Sequence, residues 1–333
     1  MSKHNVYITG GAGYVGARLV PKLLKAGHKV SVLDLMMYGE DVFEKIDGNL
    51  KSNLNVIKGD IRDQDLLKKT IPGHDTVIHL ACISNDPSFD LNPGLGRSIN
   101  LDAFSPLAEI SKASGVSRFI YASSSSVYGV KKEENVHEGL SLEPLTDYSK
   151  FKAECEKLLV GFQSDDFTTV TIRPATVCGY SPRQRLDVIV NILTNHAYHN
   201  KKIKIFGGKQ KRPNINIEDM TDLYINLLDQ PSEKIAGKIY NAGYENHTVE
   251  ELGFAVQKII GDDVQIEYVD TDDNRSYHIS SKKIEEDIGF TPKHTIEQAV
   301  LGIKKAFEEG LLPNSLEDKR YFNIKTMLDV ELK

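Results

Sequence analysis

The chain has no tryptophan, only three cysteines, and no apolar run approaching the roughly twenty residues of a membrane span. Cys82, Cys155 and Cys178 are odd in number and show no C-x-x-C or zinc-ligand spacing. That argues against a disulfide framework or a metal site, and for small, reduced, mostly buried residues. Positive charge is not in excess either: 41 Lys and Arg against 47 Asp and Glu leave a net charge of -6. A surface built to neutralise nucleic-acid phosphates needs the opposite sign. Low-complexity tracts are missing, so no disordered tail is expected. The opening MSKHNVYITGG enters a strand pattern without an apolar leader, and a cytoplasmic protein is the default expectation.

What is present is alternation. At 333 residues the chain exceeds one typical domain, and its first half reads as short apolar strands separated by helical stretches. NVYITG, HKVSVLD, LNVIKGD, DTVIHLA, RFIYASS and TTVTIRP are the strands; LVPKLLKAG, INLDAFSPLAEISKASG and YSKFKAECEKLLVGF carry helical spacing. The predicted fold class is α/β, a Rossmann-type doubly wound parallel sheet with a smaller, interleaved C-terminal substrate lobe. Residues 1–178, with a late strand or two, would form the dinucleotide domain, 179–312 mainly the substrate lobe, and 313–333 a tail with too little pattern to place. A long helix is expected over LDVIVNILTNHAYHN, where His196 and His199 lack a third partner and read as packing or surface rather than metal ligands.

TGGAGYVG closes the first strand and opens the first helix, the position a dinucleotide-binding turn requires. Gly11, Gly13 and Gly16 satisfy G-x-G-x-x-G, with Gly10 as an extra, and Tyr14 and Val15 complete the cradle. Backbone there can approach a pyrophosphate, which then faces a helix N-terminus. Asp34 ends the second strand, where an acid accepts from the adenosine ribose hydroxyls and repels a 2′-phosphate, favouring NAD over NADP. A helix cap is the alternative reading. Asp60 and Ile61 end the third strand, and Leu80 and Ala81 the fourth, on the same edge; N-capping of the next helix competes for Asp60.

In TDYSKFK, Tyr148 and Lys152 stand at i and i+4, on one helix face. A phenol is ordinarily too weakly acidic to act as a base near neutrality, and an adjacent ammonium favours the phenolate. Lys152 is expected to supply it. Upstream, SSSSVYG places four hydroxyls at a strand end. TGGAGYVG, GDI, SSSSVYG and YSKFK, in this order, resemble the extended short-chain dehydrogenase/reductase family of nucleotide-sugar epimerases and dehydratases. The likeness covers nearly the whole chain. It implies NAD as cofactor, a nucleoside-diphosphate sugar as partner, Tyr148 as the base at the sugar C4 hydroxyl, Ser124 as the assisting hydroxyl, and a homodimer through the helices holding Ala103 to Ser114 and Tyr148 to Phe162. Neither nucleic acid nor membrane is an expected partner.

Family dehydratases carry an acidic pair, or at least a Glu, directly before V-Y-G; here Ser125 and Ser126 stand there, and neither is a proton acceptor without an activating partner. That leaves hydride chemistry without elimination: a 4-epimerase first, a hexose or heptose 4-dehydrogenase or 4-ketoreductase as alternative. A noncatalytic NAD-binding regulator is the alternative of another class. The resemblance puts Ser125 and Thr176 beside the sugar nucleotide and Arg212 and Arg275 near its phosphates. Thr176 stands where UDP-sugar epimerases typically have Asn, and ATVCGYSPRQRLD resembles GDP-heptose 4-dehydrogenases. In that case Arg183 and Arg185 would join the phosphate site, a loop salt bridge being the other reading.

Overall fold

A computed structural model describes residues 3–84, 86–271 and 278–330. Twelve strands run in chain order: β1 Asn5–Thr9, β2 Lys29–Asp34, β3 Leu54–Lys58, β4 Thr76–His79, β5 Arg118–Ala122, β6 Thr168–Pro174, β7 Thr176–Cys178, β8 Lys202–Phe206, β9 Lys211–Asn216, β10 Lys238–Ala242, β11 Glu245–Thr248 and β12 Gln265–Val269. Seven form one sheet in the order β10-β6-β5-β4-β1-β2-β3, and every pairing in it is parallel. The order turns back between β1 and β4, so a crevice opens at their C-terminal ends.

Strand side chains alternate between two apolar layers. Val6, Ile8, Val32 and Ile120 pack with Leu19 and Leu23 of helix Tyr14–Lys25 and with Met220 and Leu227 of helix Ile217–Asp229. Tyr7, Leu33, Phe119 and Tyr121 pack on the other face with Leu107 of helix Phe104–Ala113 and Cys155 and Leu159 of helix Asp147–Val160. Pro106 sits in the first turn of its helix, where a missing N–H costs little, whereas Pro21 lies inside helix Tyr14–Lys25. The second lobe holds a three-stranded sheet, β11-β9-β7, and the parallel pair β8 and β12. Val190, Leu193, Val256 and Val300 from three helices form its core.

One late strand, β10, crosses back to complete the large sheet, with Lys238 to Ala242 in register with Val170 to Pro174. The helix expected from Leu186 begins only at Ile189, because Val188 is extended and Asp187 is engaged by Arg185. In the described part of the tail, 313–330, a short turn Lys319–Tyr321 leads into helix Asn323–Val330, and Tyr321 and Met327 join the apolar layers. Among the described residues no helix is long and apolar enough to cross a membrane.

His79, at the end of β4, is 3% exposed, its Nδ1 lies 2.7 Å from the Thr9 hydroxyl and its ring stacks on Tyr121. Burial pushes its pKa from 6.5 down to about 3. The folded protein therefore refuses a proton that the unfolded chain accepts below about pH 6.5, so stability rises with pH through this window. Urea titrations from pH 7 to pH 4 should show wild-type stability falling more steeply than that of His79→Gln. Equal slopes would remove His79 as a source of acid sensitivity.

Candidate functional site

The crevice is a cleft of about 390 Å³, lined by the ends of β1, β2, β4 and β5 and by residues after β6, within the range of small-molecule sites. Gly10 takes φ 74°, and a Cβ there would lie 2.5 Å from the Ala81 amide nitrogen, so the turn and the end of β4 meet only through glycine. A Cβ on Gly16 would lie 2.4 Å from the Gly11 carbonyl oxygen, which lets the helix start directly against the turn. Gly10, Gly13, Tyr14, Val15 and Gly16 line the cleft. Gly11 does not: it is set behind the turn, against Val32.

Asp34 is no helix cap. Its Oδ2 accepts from the Ala12 N–H and its Oδ1 from the Met36 N–H, both at 2.9 Å, and burial raises its pKa. Each oxygen keeps a second lone pair for a ligand hydroxyl. Asp60 does not cap either; Asp63 accepts from Leu66 N–H and does so, while Asp60 holds Arg62 in a bidentate pair. Asp60, Ile61, Leu80 and Ala81 all line the cleft. A glycine turn, a helix N-terminus and a strand-end carboxylate along one wall fit a dinucleotide.

At the other end, a reciprocal capping box between Thr146 and Ser149 starts helix Asp147–Val160, with Tyr148 in its first turn and Lys152 one turn on. Lys152 is buried; its ammonium donates to the Ala122 carbonyl at the end of β5, 2.6 Å away, and lies 5.9 Å from the centre of the Tyr148 ring. Tyr148 hydrogen-bonds Ser124. Ser124 Oγ also accepts from the Ser126 amide at 3.1 Å and the Ser126 hydroxyl at 2.9 Å, leaving its own proton to donate. Ser126 thus orients Ser124, a role its sequence position did not reveal.

Burial holds the Tyr148 phenol above its ordinary pKa of 10, the Ser124 hydrogen bond and the Arg185 guanidinium acting against it. The expectation that assigned this help to Lys152 needs amending, since Arg185 also brings positive charge to the phenol. Ser123 is buried and structural: it donates to Glu156, which is also held by Arg173 at 2.6 Å. Arg173 in turn donates to the Tyr128 hydroxyl, and Tyr128 to Asn241 of β10.

Ser125 and Thr176 line the cleft, as do Arg183 and Arg185. Arg185 forms the loop salt bridge, with Asp187 at 2.6 Å, and still reaches the cleft. Arg212 lies near the start of β9, opposite His247 of β11, and is not part of the cleft wall. Arg275 falls outside the described residues. His199 meets the Ser315 hydroxyl at 2.9 Å and packs on Phe307. Among the described residues, Asp219, Asp222 and His294 are the one cluster with metal-donor spacing. Asp219 there accepts from the backbone of Lys293 and His294 and pairs with the His294 ring, tying two segments together.

Sequence reasoning missed several cleft residues: Tyr38, Ser84, Asp86, Asn323 and Met327. Asp86 accepts from Thr146, the cap of the helix bearing Tyr148, at 2.5 Å. Asn323 and Met327 come from the tail, where no pattern flagged them.

The model of a family described as the NAD dependent epimerase/dehydratase family matches residues 6–243. The chain is 31% identical over 277 residues to an uncharacterized UDP-glucose epimerase, YtcB, of Bacillus subtilis, an alignment covering 80% of this chain and 85% of that protein. It is 26% identical over 340 residues to a UDP-glucose 4-epimerase of Lactobacillus helveticus, covering 94% and 99%. Among solved structures, the dTDP-glucose 4,6-dehydratase DesIV of Streptomyces venezuelae, crystallised with NAD and TYD, superposes with a TM-score of 0.83 at 21% identity, covering 94% and 100%. That last likeness concerns the fold.

Proposed function

Because the chain belongs to the NAD dependent epimerase/dehydratase family, and is therefore an enzyme whose cofactor is NAD, we propose that it inverts C4 of a nucleoside-diphosphate sugar. NAD, when bound, accepts a hydride and returns it. The protein's residues do the rest. The Tyr148 phenolate takes the proton of the C4 hydroxyl, Ser124 donates to the same oxygen as charge moves onto it, and Lys152 fixes the helix against the end of β5. For epimerisation the 4-keto sugar turns over before hydride returns to its other face, and no second base is required.

The observation that carries this reading is the composition of the cleft around Tyr148. Ser125 and Ser126 stand where dehydration would need an acid, and the nearby carboxylate of Asp86 holds the Thr146 cap. Homodimerisation through helices Phe104–Ala113 and Asp147–Val160 and a cytoplasmic location belong to the same proposal.

Incubation with UDP- and GDP-hexoses should yield the C4 epimer with no lasting gain at the reduced-nicotinamide absorbance band. A stoichiometric, persistent gain would replace epimerisation by net oxidation at C4. Release of a 4-keto-6-deoxy sugar would replace it by dehydration.

A further inference from the structure

Arg183 is 5% exposed and lines the cleft. Arg173, also deeply buried, and Arg185, with a side chain 13% exposed, each have a carboxylate partner. Arg183 has none: its one hydrogen bond among the described residues goes from Nη2 to the neutral Oδ1 of Asn323, at 2.6 Å, and its Nε has no partner. The guanidinium carbon lies 3.4 Å from the centre of the Tyr38 ring, so one face is covered by the loop after β2. Asp34 and Asp187 are near enough to act on its charge, yet burial outweighs them and holds its pKa below the ordinary value. A buried charge in this position is unfavourable unless an anion joins it.

The loop that carries Arg183 is fastened to the start of the first helix. Ser181 donates to the Tyr14 carbonyl at 2.7 Å, and Tyr14 donates to the Gly179 carbonyl at 2.7 Å. The same loop therefore spans from the glycine turn to the Asp34 wall. From this placement we propose that Arg183 binds a phosphate of the cofactor, and that Asn323, from the tail, positions it. Asn323 is suited to the task because it holds three parts of the wall at once. Its Oδ1 takes Arg183, its Nδ2 donates to Ser84 at 2.8 Å, and its backbone N–H donates to Asp187 at 2.8 Å.

The proposal rests on the cleft being the NAD site. Two phosphate sources meet in such a cleft, the dinucleotide and the sugar nucleotide, and the test separates them. NAD retained per chain after purification is measured first, then affinities of NAD-depleted protein for NAD, ADP and adenosine, and of the holoenzyme for UDP and GDP. Arg183→Met should weaken NAD and ADP by about 10–100-fold and leave adenosine unchanged; Arg183→Lys should restore part of the loss. Asn323→Ala should shift the same ligands by a smaller factor, and it carries the test if Arg183→Met does not fold. Unchanged NAD and ADP affinity overturns the proposal. So does an equal loss for adenosine, which would mean packing against Tyr38, and so does a loss confined to UDP and GDP. Wild-type protein that binds no NAD would overturn the cofactor site itself.

Discussion

Replacing Tyr148 by phenylalanine is expected to lower kcat by about 10²- to 10⁴-fold, the usual contribution of a positioned acid or base, while bound NAD and the fold persist. The ring stays, and the hydroxyl lost bonds Ser124, which Ser126 continues to orient. The pH dependence has a definite sign. Burial in the cleft raises the phenol's pKa, so at neutral pH the reactive phenolate is the minor form, and kcat/KM should climb as pH rises. In Tyr148→Phe that climb should vanish along with the rate. Near-normal turnover, or an unchanged pH profile, would remove Tyr148 as the base.

The second large effect is on stability. Glu156 and Arg173 form a bidentate pair with side chains 3% and 4% exposed. Glu156→Ala would strand the guanidinium among Tyr128 and Ser123, and removing one partner of a buried pair costs about 3–5 kcal/mol. Urea midpoints should fall accordingly. The double variant Glu156→Leu with Arg173→Met, which leaves no orphaned charge, should recover much of the loss, and a double-mutant cycle measures the coupling. A loss below about 1 kcal/mol in the single variant, far less than the cost of orphaning a buried charge, would remove the pair as a source of stability. Because Ser123 and the helix bearing Tyr148 share this network, the loss should extend to cleft geometry and depress activity even where the variant folds.

Much of this is legible in the sequence alone. Strand period, the glycine turn and the Tyr-Lys spacing are local signals, each set by backbone geometry within a few residues. The turn and the helix form at those positions, with Gly10, Gly13, Gly16, Tyr148 and Lys152 along one cleft and Gly11 set behind it. The unread part is long-range. Arg183 and Asn323 are 140 residues apart in the chain, and an asparagine in an unpatterned tail gives no sign of the guanidinium it will meet. Arg212 shows the converse limit. A basic residue at a family-matched place suggests a phosphate, but the cleft-facing Thr176 pairs with Asn214, two residues further along β9, and Arg212 lies opposite β11. Asp187 shows how a side chain can override helical spacing, since its pairing with Arg185 delays the helix to Ile189.

The return of β10 to the edge of the large sheet has a consequence for how the protein comes into being. Until Lys238 to Ala242 arrives beside β6, that strand presents an open parallel edge, and Tyr128 lacks its Asn241 partner. The sheet therefore closes through a contact of high sequence separation, made only after nearly half of residues 179–312 has been synthesised, and such contacts slow folding. A chain cut at the apparent boundary near residue 178 should yield an aggregation-prone, edge-exposed fragment rather than a working NAD domain.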